Sequence, residues 1–190
     1  MVWRKAGTTT LGSAGDDLDI TSMTTNTFNQ FLVHIISSGD ASIYTTFNND
    51  TGSDYARRTC HNGGTDGTST SDSSLDIGFG NADDKLYVHY WVDIAGEEKL
   101  GIAHACNRNT TGAGNAPKRV EQAMKFTDTS ARITRIDQNN NLSGSYDTNS
   151  NITAIGSDGT EALNVQDGAI YYDTDLNKEY VLYNNTWTEV

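Results

Sequence analysis

Short runs of alternating residues, separated by turn-forming residues, constrain the fold of this chain more than any other feature. The run KLYVHYWVDI at 85–94 places Leu86, Val88, Tyr90 and Val92 on one side of an extended chain, because the side chains of a β-strand alternate with a period of two. The tetrapeptide AGEE follows, and KLGIAHACN then begins a second run. This order predicts an antiparallel hairpin.

Similar runs recur along the chain, among them LDITSM, FNQFLVHIIS, ASIYTTFN, ARITRIDQ and SNITAIGS. Segment 118–126 follows Pro117 and fits a short helix, but its alternating residues favour a strand. The predicted fold is all-β, an antiparallel jelly-roll-like sandwich. Residues 1–160 are predicted to form this body, with 63–74 as a flexible surface loop. Residues 161–190 are predicted to form a short C-terminal β-hairpin or meander.

The charge of the chain excludes several classes of partner. The formal net charge is -12 and the pI is about 4.5. Binding to nucleic-acid phosphates or to an anionic membrane surface needs a basic face, so neither partner is expected. The first residues lack the hydrophobic core of a signal peptide, so no secretion is expected.

No catalytic motif stands out, so no enzyme activity and no cofactor are predicted. The chain has neither a phosphate-binding glycine loop nor a nucleophile elbow. His34, His89 and His104 fall within predicted strands, where a packed role is more common than ligation. Cys60 and Cys106 favour two free thiols over a disulfide. With neighbouring histidines they match a zinc site poorly.

One stretch near the C-terminus resembles the start of a calcium loop. Asp173, Asp175 and Asn177 alternate in the way that oxygen ligands do in an EF-hand. The pattern then breaks, because Lys178 stands where the glycine belongs and Asn184 where the bidentate glutamate belongs. A hairpin turn is the favoured interpretation, and a calcium site remains the alternative.

Aromatic and polar residues in two places are candidates for binding a glycan or another partner. The first place combines Tyr55 and Arg57 with the loop 63–74, and the second consists of Tyr171, Tyr172 and Trp187. Sugar binding combines exposed aromatic rings with polar loops. The competing interpretation is that these rings fill the core or a subunit interface.

The terminal stretch DGAIYYDTDLNKEYVLYNNTWTEV resembles a short module of bacteriophage tail fibres and other surface fibres. The matching positions are Gly168, Ile170, Tyr171, Tyr172, Asp173, Thr174, Asn177, Lys178, Tyr183 and Trp187. Upstream, the segments LGSAGDDLDITS, FNNDTGSDYARR, NGGTDGT and GAGNAPKRVE are similar to parts of small β-rich proteins of marine phages.

This resemblance implies a non-enzymatic virion protein that is made in the host cytoplasm and lies on the exterior of the particle, such as a capsid decoration protein or a head or tail spike. It also implies a homotrimer that contacts the major capsid protein or other virion proteins. A receptor-binding module of a phage fibre that recognises a host surface glycan is the alternative. A glycan hydrolase ranks last.

Overall fold

The computed structural model describes residues 3–159, 168–184 and 186–190. These residues form fifteen β-strands and no helix. They divide into two compact units, a body of Trp3–Asp158 and a C-terminal unit that includes Gly159–Val190. The predicted boundary between residues 160 and 161 lies outside the described residues.

The body consists of two antiparallel sheets, one of eight strands and one of four. Its strands are β1 (Arg4–Thr10), β2 (Asp17–Ile20), β3 (Phe28–Ile35), β4 (Tyr44–Phe47), β5 (Tyr55–His61), β6 (Gly67–Asp72), β7 (Leu75–Asp76), β8 (Lys85–Val92), β9 (Lys99–Asn107), β10 (Lys118–Phe126), β11 (Ile136–Asn139) and β12 (Asn151–Ser157). The large sheet has the order β1-β12-β3-β8-β9-β10-β5-β6, and the small sheet the order β2-β11-β4-β7. The predicted all-β class is confirmed, whereas the jelly-roll connectivity stays a prediction.

The alternation in the sequence explains the central strands. Strand β8 pairs with β9 over its whole length, from Lys85 opposite Asn107 to Val92 opposite Leu100, so the predicted hairpin is confirmed. Segment 118–126 is strand β10, and every second residue of it from Val120 to Phe126 is buried. Burial of this alternating set decides against the helix that Pro117 would permit.

The predicted flexible loop at 63–74 is wrong for residues 67–72. Gly67–Asp72 forms strand β6 at the edge of the large sheet and pairs with β5. A bulge interrupts this pairing, and Ser71 has a φ of 57°. An edge strand needs backbone hydrogen bonds on only one side and no apolar face. Strand β6 is rich in Ser and Thr, so it lacks the alternating apolar residues by which strands are predicted.

Aromatic side chains fill the core between the two sheets. The ring of Phe47 on the small sheet lies 4.9 Å from that of Trp91, edge to face, and 5.6 Å from that of Phe126. Tyr55 stacks on Phe126 at 4.9 Å, and its hydroxyl oxygen accepts a hydrogen bond of 2.9 Å from the backbone N–H of Phe47. These contacts join the sheets face to face.

The absence of a side chain at Gly101 leaves room for the indole of Trp91 in this core. A methyl group added at Gly101 would lie 2.6 Å from ring carbons of Trp91, which is only 1% exposed. We expect Gly101→Ala to lower the free energy of unfolding in urea by about 1–3 kcal/mol through overpacking. Gly114→Ala is the control: a methyl group there meets no atom within 4 Å, and the change should stay within about 0.5 kcal/mol. Equal values for both variants would contradict the packing of Trp91 on Gly101.

The C-terminal unit is a three-stranded antiparallel sheet of β13 (Ile170–Asp173), β14 (Lys178–Tyr183) and β15 (Thr186–Glu189). Tyr172 pairs with Glu179 and Asp173 with Lys178, which confirms the predicted hairpin. The carboxylate of Asp173 accepts hydrogen bonds from the backbone N–H groups of Asp175 and Leu176, at 2.9 and 3.0 Å. These contacts explain the polar sequence of the turn.

Candidate interaction surface

One side of the large sheet faces the small sheet, and the opposite side carries an exposed apolar surface, which we call the outward face. Its register is continuous across the central strands, since Gln30 pairs with Tyr90, Tyr90 with Ile102, and Ile102 with Ala123. Residues in register on neighbouring strands point to the same side of a sheet. The outward face has an apolar centre made of Leu32, Leu86, Val88, Tyr90, Val92, Leu100, Ile102 and Ala123.

The exposure of these side chains distinguishes the outward face from an ordinary strand surface. Leu100 is 56% exposed, Ile102 55%, Leu86 45% and Tyr90 41%. These residues come from two adjacent strands, β8 and β9, so their apolar surfaces adjoin. Contiguous exposed apolar surface of this kind marks sites of interaction with another molecule.

A shallow groove runs along one end of the outward face. It has a volume of about 350 Å³ and is lined by Trp3, Phe28, Tyr90, Val92, Leu100 and Ile102 among others. Trp3 is 43% exposed. An apolar groove with exposed Trp and Tyr rings has the composition of an interface centre, where aromatic side chains are enriched and charges depleted.

Cationic side chains surround the apolar centre, although the protein is strongly acidic. In the described body, the outward-pointing strand positions carry the cations Lys5, Arg58, Arg119 and Lys125 and the single carboxylate Glu121. The whole chain has 13 Lys and Arg against 25 Asp and Glu. The outward face therefore differs in charge from the rest of the molecule.

Two of these cations have acidic neighbours in adjoining turns. The amine of Lys125 lies 2.9 Å from the carboxylate of Glu98, and a guanidinium nitrogen of Arg58 lies 3.5 Å from that of Asp66. All four side chains are at least 42% exposed. Such surface pairs exchange partners at little cost, so both cations remain able to contact the carboxylates of a partner.

The residues proposed from the sequence for glycan binding lie in different environments. Tyr55 is 1% exposed and belongs to the core, so its ring cannot stack on a sugar, and the core interpretation applies. Arg57 lies on the side of β5 that faces away from the outward face, with Asp72 at 2.8 Å.

The three C-terminal candidates for glycan binding lie in the same sheet, but not all of them lie on the same side of it. Tyr171 is 50% exposed, and its ring lies 5.9 Å from that of Trp187. Tyr172 follows Tyr171 in the strand and points to the other side; its hydroxyl donates a hydrogen bond to Asn177. The structure therefore combines Tyr171 with Trp187 and separates Tyr172 from them.

The two cysteines considered as zinc ligands lie on different strands of the large sheet. Within the described ranges, no three His, Cys, Asp or Glu side chains form a group suited to a metal ion. Cys60 on β5 and Cys106 on β9 are free thiols, and strand β10 separates them with Glu121 opposite Cys60 and Arg119 opposite Cys106. The calcium interpretation of Asp173, Asp175 and Asn177 stays untested.

No family model matches the chain, and no similar curated protein or solved structure is found. Of the residues that the structure describes, none belongs to a helix long and apolar enough to cross a membrane. The residues of the site therefore have to carry the functional interpretation by themselves.

Sequence reasoning missed the outward face, although a signal for it exists. In strand β8 both alternating sets are rich in large apolar side chains, with Tyr87 and Trp91 buried and Leu86 and Tyr90 exposed. A strand with one solvated side normally carries polar residues there. When a strand of a two-layer sandwich carries large apolar residues on both sides, the side that faces away from the other sheet is expected to be covered by another molecule.

Proposed function

We propose that the protein is a non-enzymatic structural protein on the exterior of a bacteriophage particle and that the outward face is its assembly surface. The observation that carries this proposal is the exposed apolar centre around Leu100 and Ile102. A capsid decoration protein or a spike has to bury such a surface against copies of itself or against another virion protein. The resemblance of the terminal stretch to phage fibre modules supports the same setting.

The charge of the outward face favours an acidic partner surface. Its cations would face one another in a symmetric contact of two outward faces, and like charges in close contact cost binding energy. Contact between the outward face of one copy and a different part of a second copy avoids this repulsion, because the rest of the chain is acidic. Heterologous contacts form a ring where the rotation between copies closes after three subunits, as the proposed homotrimer requires, and the same surface could also contact a capsid protein.

The double substitution Leu100→Asp with Ile102→Asp tests the assembly surface. We expect the native chain to form an oligomer at micromolar concentration and the double variant to be a monomer in native mass spectrometry, because two carboxylates would be buried in the interface. We also expect the variant not to co-purify with phage particles.

Ile94→Asp is the matched control. Ile94 is 49% exposed but lies in the turn after β8, outside the strand positions of the outward face. It should leave both the oligomer and particle binding intact. A native chain that stays monomeric and does not bind particles would overturn the proposal.

A further inference from the structure

A polar pocket lies at the other side of the large sheet, near its β6 edge. Strand β7 of the small sheet contacts β5, and β6 extends the large sheet one strand further. The pocket has a volume of about 280 Å³, and its lining includes Arg57, Thr59, His61, Ser69, Asp76 and Gly78. A pocket of this size is at the lower end for small ligands and suits a single sugar ring.

Charged contacts hold Arg57 and Asp76 in the lining of this pocket, and Asp72 contributes from beside it. The guanidinium of Arg57 lies 2.8 Å from a carboxylate oxygen of Asp72 and 3.7 Å from one of Asp76. The other carboxylate oxygen of Asp72 accepts a hydrogen bond of 2.8 Å from the hydroxyl of Ser69. Asp76 also accepts a hydrogen bond of 2.7 Å from the backbone N–H of Gly78. These contacts hold donors and acceptors in place before a ligand arrives, which reduces the entropic cost of binding.

A buried amide orients a further hydroxyl of the lining. The side-chain nitrogen of Gln122 donates to Thr59 Oγ1 at 3.1 Å and to the carbonyl oxygen of Asp76 at 2.8 Å. Gln122 is only 5% exposed, so this arrangement is fixed by the core. Because the Thr59 oxygen accepts from Gln122, its own O–H remains available to donate to a ligand.

An imidazole ring supplies a flat side to the pocket. The ring of His61 lies against the backbone of Gly78, where an added methyl group would come within 2.6 Å of Cε1. It also meets the ring of Phe79 edge to face at 6.5 Å. Gly78 has a φ of 80°, a backbone conformation suited to glycine, and no side chain separates it from the ring. His61 itself remains exposed.

We propose that this polar pocket binds a neutral sugar residue at the end of a glycan. Closely spaced hydrogen-bonding groups match neighbouring sugar hydroxyls, and the flat ring matches the C–H side of a pyranose. The carboxylates of Asp72 and Asp76 outnumber the guanidinium of Arg57, so an anionic sugar would meet net repulsion. The site lies on the opposite side of β5 from the outward face and does not depend on assembly.

Saturation-transfer NMR and calorimetry with methyl glycosides test the pocket on the full chain. The probes are the methyl glycosides of glucose, galactose, mannose and N-acetylglucosamine, together with methyl glucuronide as the anionic probe. At least one neutral probe should bind with a millimolar or lower Kd, and methyl glucuronide should bind at least about tenfold more weakly.

Two substitutions and one control locate the site. Thr59→Val removes only the hydroxyl and His61→Ala removes the flat ring, and each should weaken binding by about tenfold. Arg58→Ala is the matched control, because Arg58 neighbours Arg57 on β5 but points to the outward face; it should bind as the native chain does. Circular dichroism of each variant confirms its fold.

The absence of binding by every neutral probe would overturn the proposal. So would tighter binding of methyl glucuronide, or native affinity in both folded pocket variants. Loss of assembly in the Leu100→Asp, Ile102→Asp variant with sugar binding retained would separate this site from the assembly function.

Discussion

Below pH 6.5 the body is expected to lose stability through His89 by about 1.4 kcal/mol per pH unit, down to about pH 3. His89 is fully buried, and this burial lowers its pKa from 6.5 to about 3. Its ring lies 4.3 Å from that of Tyr87 and 4.9 Å from that of Phe31. Nδ1 accepts a hydrogen bond of 3.0 Å from the indole N–H of Trp91.

The direction of this effect follows from the two protonation states. The unfolded chain takes up a proton at His89 near pH 6.5, whereas the folded protein keeps the ring neutral until about pH 3. The stabilising effect of the neutral ring is therefore complete above pH 6.5 and is lost as the pH falls towards 3. Protonation of the folded state would place a charge beside Trp91 and Phe31, where no water can solvate it.

His89→Gln isolates this contribution, because its amide oxygen can accept from Trp91 but does not titrate. The free energy of unfolding, measured in urea between pH 3.5 and 7, should fall less steeply in this variant than in the native protein. His34→Gln is the control, since His34 lies exposed on the same sheet, and it should keep the native slope. Identical slopes for the native protein and His89→Gln would contradict this account.

Asp19 changes the pH dependence of the free energy of unfolding in the opposite direction to His89. Burial, with the nearby charge of Asp137, raises its pKa from 3.8 to about 6. The folded protein binds this proton more tightly than the unfolded chain does, so its effect makes stability fall as the pH rises from 3.8 to 6. Comparing native and His89→Gln proteins at the same pH removes this contribution from the measured difference.

Arg132→Met is expected to destabilise the body by about 3–5 kcal/mol, because it would leave the buried carboxylate of Asp93 without its cation. Asp93 is 0% exposed, and one of its oxygens lies 3.1 Å from Nε of Arg132. The same oxygen accepts a hydrogen bond of 2.9 Å from the backbone N–H of Ile133. This contact fixes the segment after β10 to the end of β8.

The double variant Asp93→Asn with Arg132→Met distinguishes a charge effect from lost packing. Asparagine keeps an acceptor for the N–H of Ile133 and removes the charge, so the double variant should be more stable than Arg132→Met alone. Lys125→Met is the matched control: it breaks the exposed pair with Glu98 at 2.9 Å and should cost less than about 1 kcal/mol. Urea unfolding measures all four chains. A double variant no more stable than Arg132→Met would assign the loss to packing.

The elements that the sequence predicts are those in which local pattern and tertiary packing agree. The hairpin of β8 and β9 and the C-terminal hairpin follow from alternation and turn composition alone. Strand β6 does not, because its Gly, Ser and Thr residues pair through the backbone at an edge. Tyr55 shows that sequence context does not settle burial. It lies close to a polar loop in sequence, which suggests an exposed ring, yet the ring packs on Phe126 in the core.

The proposed assembly surface depends on long-range register, which sequence reasoning could not supply. Leu100 and Ile102 become a surface only because β9 lies between β8 and β10 with their side chains in register. Arg57 and part of the segment 63–74, which the sequence marks as candidates for glycan binding, both line the polar pocket, and the binding itself stays a prediction. His61, Asp76 and Gly78 flank this segment in sequence, and the pairing of β6 with β5 and the contact of β7 with β5 bring them to the same pocket.

The two outermost strands of the large sheet each carry a bulge, which bears on whether another chain can pair with these edges. Strand β1 is interrupted between Lys5 and Gly7, and β6 is interrupted at Ser71. Both margins are thus too irregular to template the addition of a further strand from another chain. Strand addition is therefore disfavoured at both margins of the large sheet. Under the proposed function, copies would associate through the outward face and not by edge-to-edge strand pairing.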